Sequence, residues 1–142
     1  AGEDGGEGEW QDRKECESKE EGELPDSLLV VSYNIWFSKA HWEARLMALV
    51  GLWPPNTDIV CLQEVTPRVL FKLQGMQEVR NRFVIPDVSE VCWTVGNYGT
   101  TMLVAKHLPL DTFRLVDMPS RMGRRLLVAE FAKGRFAVGT VH

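Results

Sequence analysis

The sequence predicts an α/β domain, and two patterns in the order of its apolar residues support this assignment. Between residues 28 and 75, short β-branched runs alternate with segments of helical apolar spacing, in the order strand, helix, strand, helix. Between residues 101 and 141 the pattern changes to β-rich runs separated by turn residues. Domains of this kind collect functional residues at the ends of their strands, so those ends are the first places to examine.

Length and charge indicate one folded domain that follows an acidic leader. The chain has 142 residues, of which 44% are hydrophobic, and this suffices for one small core. Residues 1–27 are predicted to be disordered, because the first 23 hold ten carboxylates, three bases and a single large apolar residue, Trp10. The first 23 residues carry a net charge of −7 while the whole chain carries −4, so residues 24–142 carry +3. Residues 28–142 are therefore expected to fold, with a weakly basic surface.

Composition also excludes several classes of protein. No apolar run approaches the roughly 20 residues that a membrane-spanning helix needs, so no membrane partner is predicted. The three cysteines, Cys16, Cys61 and Cys92, show no metal-binding spacing and are odd in number, which argues against a disulfide scaffold or a zinc site. Cys61 lies in an apolar run and is interpreted as a buried thiol in a reducing compartment rather than a nucleophile.

The first half is predicted to contain two strands and two helices. Residues 28–32 and 58–62 are continuous apolar runs, and the first is expected to be a strand buried on both faces. The second helix is predicted to begin with Thr66 as N-cap and Pro67 at its first position, and to end at Gly75. The first helix ends before two prolines and presents one apolar face, formed by Trp42, Leu46, Leu49, Val50 and Trp53.

The second half is predicted to contain four antiparallel strands, at residues 101–105, 112–116, 125–131 and 135–141, with a tight turn at 132–134. In the last strand one face is formed by Phe136, Val138, Thr140 and His142. The sequence stops within this core strand, so we expect the chain to be a fragment whose final strands leave an apolar face exposed.

Two strand ends deliver polar side chains that suit phosphate chemistry. Asn34 follows the first strand and Glu64 follows the second, so an amide and a carboxylate are expected at neighbouring strand ends. Magnesium binds through few protein carboxylates and leaves positions to water and phosphate oxygens, so Glu64 alone is able to anchor it. Taken singly, the alternative for each residue is structural: an asparagine that forms a turn and a glutamate that faces water.

Four sequence blocks, in order, resemble the endonuclease/exonuclease/phosphatase superfamily. These are residues 31–37 (VSYNIWF), 58–67 (DIVCLQEVTP), 98–103 (YGTTML) with 120–126 (SRMGRRL), and the terminal Gly139-Thr140-Val141-His142. Within the superfamily they resemble the tyrosyl-DNA phosphodiesterases that act on five-prime DNA ends. The resemblance implies the N-terminal half of a DNase I-like, two-sheet α/β sandwich with outer helices.

The resemblance also implies roles for five residues. Glu64 would be the magnesium ligand, Asn34 a hydrogen-bonding partner in the active site, and His142 a histidine that helps to hold the substrate. Arg124 would contact nucleic acid or phosphate, and Tyr98 would line the substrate path, where its ring can stack on a base. The structural alternatives are that Tyr98 anchors a loop and that Arg124 is half of a solvated pair.

The function implied is Mg²⁺-dependent hydrolysis of the phosphotyrosyl bond at five-prime DNA ends in DNA repair. The implied partner is DNA that carries a tyrosyl adduct, with no obligate protein partner, and the implied location is the nucleus, with the cytoplasm as alternative. The family's D-x-N and S-D-H blocks do not occur in the 142 residues, so this chain is expected to be inactive by itself. Trp36 and Phe37 replace an acidic residue and a glycine found in other branches, so substrate contacts near the first strand are expected to differ.

Two alternative functions remain open from the sequence. The first is another phosphodiesterase of the same superfamily, with an RNA or a lipid substrate. The second is a non-catalytic interaction module that keeps the fold and binds partners through its acidic leader or its basic face.

Overall fold

Two β-sheets with helices outside form the part of the chain that the computed structural model describes, residues 23–87 and 93–142. The predicted α/β class is confirmed. In chain order the elements are β1 (Val30–Asn34), α1 (Trp42–Leu52), β2 (Ile59–Val65), α2 (Pro67–Gly75), α3 (Gln77–Arg82), β3 (Phe83–Val84), β4 (Gly99–Ala105), β5 (Leu110–Asp117), β6 (Arg125–Phe131) and β7 (Phe136–Thr140).

The first sheet has the strand order β1-β2-β4-β3. Strands β1 and β2 are parallel and are connected through α1, whereas β4 runs antiparallel to β2 and to β3. The second sheet is the antiparallel meander β5-β6-β7 that the sequence predicts. Its β6–β7 turn places Ala132, Lys133 and Gly134 in the left-handed region, with φ of 52°, 56° and 80°.

The core lies between the two sheets and beneath the helices. Strand β2 is buried along almost its whole length, and its Cys61 and Gln63 face the second sheet, where both contact Thr140. Because side chains alternate along a strand, Val60 and Leu62 point to the opposite face, which the helices cover, and both are fully buried. The central strand therefore joins the two layers of the core.

The helix signals locate α1 and α2 correctly. The side chain of Thr66 accepts a hydrogen bond from the Val69 backbone N–H at 3.4 Å, and Pro67 occupies the first turn, as the N-cap pattern predicts. Helix α1 has its predicted apolar face, with Leu46 and Trp53 buried. It begins after His41, whose side chain makes no cap and whose φ is 50°.

The short elements α3 and β3 are not predicted from the sequence. Helix α3 has six residues, with Val79 as its only buried one, and β3 has two residues, so neither is long enough to show a hydrophobic period. Tertiary packing determines both elements, since Phe83 of β3 is buried and contacts Trp53 edge-on at a centroid distance of 5.9 Å.

The prediction that the first strand is buried on both faces is wrong. Strand β1 begins two residues later than predicted and lies at an edge of its sheet, with Val30 45% and Tyr33 52% exposed. An apolar β-branched run shows that a segment is extended, but it does not show how many neighbours the segment has.

The face predicted to be exposed on the last strand is largely covered. Thr140 is buried and Val138 packs against the core, while Phe136, 36% exposed, contacts Phe131 at a ring distance of 5.9 Å. Exposed large apolar side chains lie elsewhere as well, on β1 and the loop that follows it, on α1 at Leu52 and near the cavity at Met122. The leader prediction falls mainly on residues 1–22, outside the described part. Within that part no helix is long and apolar enough to cross a membrane.

The buried Leu62 provides a test of this core. Leu62→Ala removes a fully buried side chain from the central strand, so it should lower the free energy of unfolding by about 2–5 kcal/mol in urea denaturation. The control is Leu52→Ala, because Leu52 on α1 is 78% exposed and its loss should leave stability nearly unchanged. Equal effects of the two substitutions would contradict this assignment of the core.

Candidate functional site

The polar ends of β1 and β2 lie side by side, because the two strands are parallel neighbours and end at the same sheet edge. Asn34 is the last residue of β1 and pairs in register with Gln63, the residue before Glu64. His142 reaches this edge from the second sheet, two residues after β7. Its Nε2 atom lies 3.4 Å from Asn34 Nδ2 and 3.5 Å from Glu64 Oε1. The structure therefore brings together the three residues predicted to be catalytic.

A local irregularity of β2 directs the Glu64 side chain. The pairing of β2 with β4 shifts between Leu62 and Val65, and Glu64 has a φ of 58°. A bulge of this kind breaks the alternation of side chains and turns one of them to a new direction. A left-handed conformation costs a non-glycine residue about 1–2 kcal/mol, so this strain is held in place by the surrounding structure.

The loop after β1 contacts both polar residues through its backbone. The Trp36 N–H donates to Asn34 Oδ1 at 2.9 Å, and the Phe37 N–H donates to Glu64 Oε2 at 3.1 Å. Arg45 of α1 holds this loop from the other side, since its Nη2 donates to the carbonyls of Trp36 and Ser38 at 2.8 and 3.0 Å. Its Nη1 donates to the Ala40 carbonyl, and its guanidinium lies 4.7 Å from the Trp36 ring.

These hydrogen bonds indicate which atom of Asn34 faces the His142 ring. Because Asn34 Oδ1 accepts from a backbone N–H, Nδ2 is the atom that faces His142, and Nε2 then accepts with the ring proton on Nδ1. In this tautomer Glu64 Oε1 and His142 Nε2 are two acceptors 3.5 Å apart. Two electron-pair donors that face each other suit a shared cation or a proton.

The buried Gln63 supports the site from below. Its Nε2 donates to Ser32 Oγ on β1 at 3.2 Å and to Thr140 Oγ1 on β7 at 3.3 Å. Thr140 also hydrogen-bonds the Cys61 side chain, which partly offsets the burial that raises the pKa of the Cys61 thiol. Cys61 is thus a protonated core residue at neutral pH, in line with its interpretation from the sequence.

A cavity of about 310 Å³ opens beside His142. Its walls include Tyr98, Arg124, Met122 and Arg125, so both residues predicted to bind substrate line the same space as His142. The Arg125 guanidinium donates to the Thr94 carbonyl at 3.0 Å, which makes it a structural residue. Among the residues that the structure describes, the Arg124 side chain hydrogen-bonds only the weak acceptor Met122 Sδ, at 3.5 Å, which suits a group that binds an anion.

The donor set would suit a divalent cation held by a single carboxylate rather than a closed protein cage. Within residues 23–87 and 93–142, no group of three or more His, Cys, Asp and Glu side chains gathers to hold a metal. Glu64 supplies one half-buried carboxylate, with one oxygen held by a backbone N–H and the other facing His142. Such a set leaves the remaining positions of a hard cation to water and phosphate oxygens.

Sequence reasoning missed two contributors to this geometry. Gln63 was visible only as the polar neighbour of Glu64, and nothing local indicates that it reaches Thr140, 77 residues away. Arg45 lies among the apolar positions of α1, and its contacts with the loop carbonyls depend on how the loop folds back. The catalytic and binding roles of Asn34, Glu64 and His142 stay predictions.

Comparisons with known proteins bear on the fold and the family. The model of the Endonuclease/Exonuclease/phosphatase family matches residues 31–142. A structure of TDP2 from Caenorhabditis elegans is 25% identical with a TM-score of 0.61, and the match covers 79% of this chain and 33% of that one. TDP2 from Danio rerio, complexed with single-strand DNA product, is 20% identical with a TM-score of 0.63, over 81% of this chain and 45% of that one.

The chain thus spans less than half the length of these two structures. No curated protein sequence matches it significantly. The structural matches confirm the DNase I-like arrangement of two sheets with outer helices that the resemblance implies.

The left-handed backbone at Glu64 generates a prediction that is independent of activity. Glu64→Ala and Glu64→Gly both remove the carboxylate, but only glycine relieves a φ of 58°. The glycine variant should therefore be the more stable of the two by about 1 kcal/mol in urea denaturation.

The matched pair is Glu78→Ala and Glu78→Gly, at an exposed position of α3. In a helix the order should reverse, with alanine the more stable by about 1 kcal/mol. If alanine were also the more stable residue at position 64, the bulge described for β2 would be wrong.

Proposed function

The chain belongs to the endonuclease/exonuclease/phosphatase family, and from this we propose that it supplies part of the active site of a metal-dependent phosphodiesterase. One observation carries the proposal: His142 lies within 3.5 Å of both Asn34 and Glu64, although 108 residues separate Asn34 from His142. A carboxylate, an amide and an imidazole at one sheet edge, beside a cavity with an arginine, are groups that bind a cation and a phosphate together.

The proposed substrate is the phosphotyrosyl bond at a five-prime DNA end, and the proposed cation is Mg²⁺. The likeness to TDP2, a 5′-tyrosyl-DNA phosphodiesterase, supports this choice, as does the Danio rerio relative solved with single-strand DNA product. Residues 24–142 carry a net charge of +3, which suits a polyanionic substrate. DNA repair and a nuclear location follow from this substrate and are proposed with it.

Each residue has a distinct task in this mechanism. Glu64 would hold the cation, and the N–H of Phe37 keeps its carboxylate in place. Asn34, whose Oδ1 is already engaged, would offer Nδ2 to a phosphate oxygen, and His142 would offer its ring N–H. Arg124 would bind phosphate oxygens through two parallel N–H groups from the cavity wall. A bound divalent cation supplies neutralisation of the charge that develops on the phosphate.

The proposal is tested on the full-length protein, of which these 142 residues are proposed to be a part. Glu64→Gln should lower kcat/KM on a 5′-phosphotyrosyl oligonucleotide by at least about a hundredfold in Mg²⁺, because the amide cannot replace the anionic ligand. Glu43→Gln is the control, since Glu43 is exposed on α1, where its carboxylate pairs with Lys72 at 3.4 Å. A higher kcat/KM on a phospholipid or an RNA diester than on the DNA end would contradict the proposed substrate and indicate another branch of the family.

The 142-residue chain itself provides a second test. The family's D-x-N and S-D-H blocks are not in its sequence, so the groups that activate water and stabilise charge on the phosphate are missing. We therefore expect no release of tyrosine from the same oligonucleotide by the purified chain in Mg²⁺, measured against buffer alone. If the purified chain did release tyrosine, and if Glu64→Gln abolished this release, the two blocks would be dispensable. That result would contradict the mechanism above.

A further inference from the structure

Two exposed aromatic rings stand beside the proposed active site. The rings of Phe37 and Tyr98 contact each other with centroids 5.5 Å apart and planes tilted by 32°. Although they touch, Phe37 remains 55% and Tyr98 42% exposed, so mutual packing leaves much of both rings open to solvent. Large exposed aromatic side chains that are held in place are typical of binding surfaces rather than of cores.

The backbone places this ring pair close to the reacting groups. The Phe37 N–H donates a hydrogen bond to Glu64 Oε2, so the residue that carries the ring directly contacts the proposed cation ligand. Tyr98 lines the cavity that His142 and Arg124 also line. The pair therefore connects the Glu64 side of the site with the side that would hold phosphate.

The loop that carries Phe37 is fixed before any substrate binds. Arg45 bonds three of its carbonyl groups and lies over the Trp36 ring, and Asn34 Oδ1 accepts the Trp36 N–H. A ring held in this way loses little conformational freedom when a ligand stacks on it, which favours binding. The loop is therefore suited to present a preformed flat surface.

We propose that Phe37, together with Tyr98, stacks on an unpaired nucleobase adjacent to the phosphate that is hydrolysed, which makes Phe37 a specificity-determining residue. This inference rests on the proposed function and extends it, because it names the side chain that recognises the base next to the scissile phosphate. Only an unpaired base exposes its faces fully to a protein ring, and stacking tolerates every base sequence.

The test compares two single-stranded 5′-phosphotyrosyl oligonucleotides with the full-length protein. One carries adenine at the first nucleotide and the other is abasic at that position. The unaltered protein should have a kcat/KM about fivefold or more higher on the adenine substrate, mainly through a lower KM. Phe37→Leu should abolish this preference and leave kcat/KM on the abasic substrate unchanged, whereas Phe37→Trp should retain the preference.

The abasic substrate and a matched variant serve as controls. Unchanged turnover of the abasic substrate shows that Phe37→Leu is folded and that its backbone N–H still supports Glu64. Phe71→Leu replaces an exposed phenylalanine of α2, 43% exposed, and should behave as the unaltered protein on both substrates. Tyr98→Leu should reduce the preference in the same direction as Phe37→Leu.

The outcomes separate the two proposals. If the unaltered protein cleaves neither oligonucleotide, the proposed function fails and the stacking inference fails with it. If it cleaves both at equal rates, or if Phe37→Leu keeps the preference for adenine, the stacking inference alone is overturned. An equal loss on both substrates would show that Phe37 supports turnover without recognising the base, which also overturns it.

Discussion

The buried amide of Gln63 is the interaction on which the candidate site depends. Its two hydrogen bonds reach Ser32 on β1 and Thr140 on β7, so one side chain connects the edge strand, the central strand and the second sheet. Together with the Cys61–Thr140 hydrogen bond, this link fixes the distance between the strand that carries Glu64 and the strand that leads to His142. A buried amide that lost one partner would leave an unsatisfied group, which costs about 1–3 kcal/mol. The same bonds that stabilise the sandwich therefore align the site.

The carboxylate of Glu64 is held against its own backbone preference. A regular β2 would place successive side chains alternately toward the helices and the second sheet, and neither direction leads to the open edge. The bulge with a left-handed Glu64 provides a third direction, and the Phe37 N–H holds the side chain there. The fold is thus less stable than it would be with a regular strand, but it presents an anion at the strand end. Such local strain is common at functional sites.

The sequence predicts the layout of the elements and the neighbourhood of the site, but not the contacts that shape it. Parallel β1 and β2 follow from the strand–helix–strand pattern, and this alone places Asn34 beside the residues before Glu64. The exposure of β1 cannot be predicted in the same way. An apolar run indicates that a segment forms a strand, but it does not indicate how many strands lie beside it. Gln63 and Arg45 act through partners distant in sequence, and α3 and β3 are too short for a period, so only packing reveals them.

The candidate site has two parts, the polar residues Asn34, Glu64 and His142 at strand ends and the loop that follows β1. The polar residues meet through backbone geometry, since β1 and β2 are parallel neighbours and Glu64 lies at a bulge of β2. The loop at Trp36 and Phe37 is bonded to those groups only through main-chain N–H donors, which any residue except proline provides. Side chains in the loop are therefore free to change without disturbing the main-chain hydrogen bonds to Asn34 and Glu64. Because Arg45 holds the loop by its carbonyl groups, a change of side chain alters what the surface recognises and leaves its position intact.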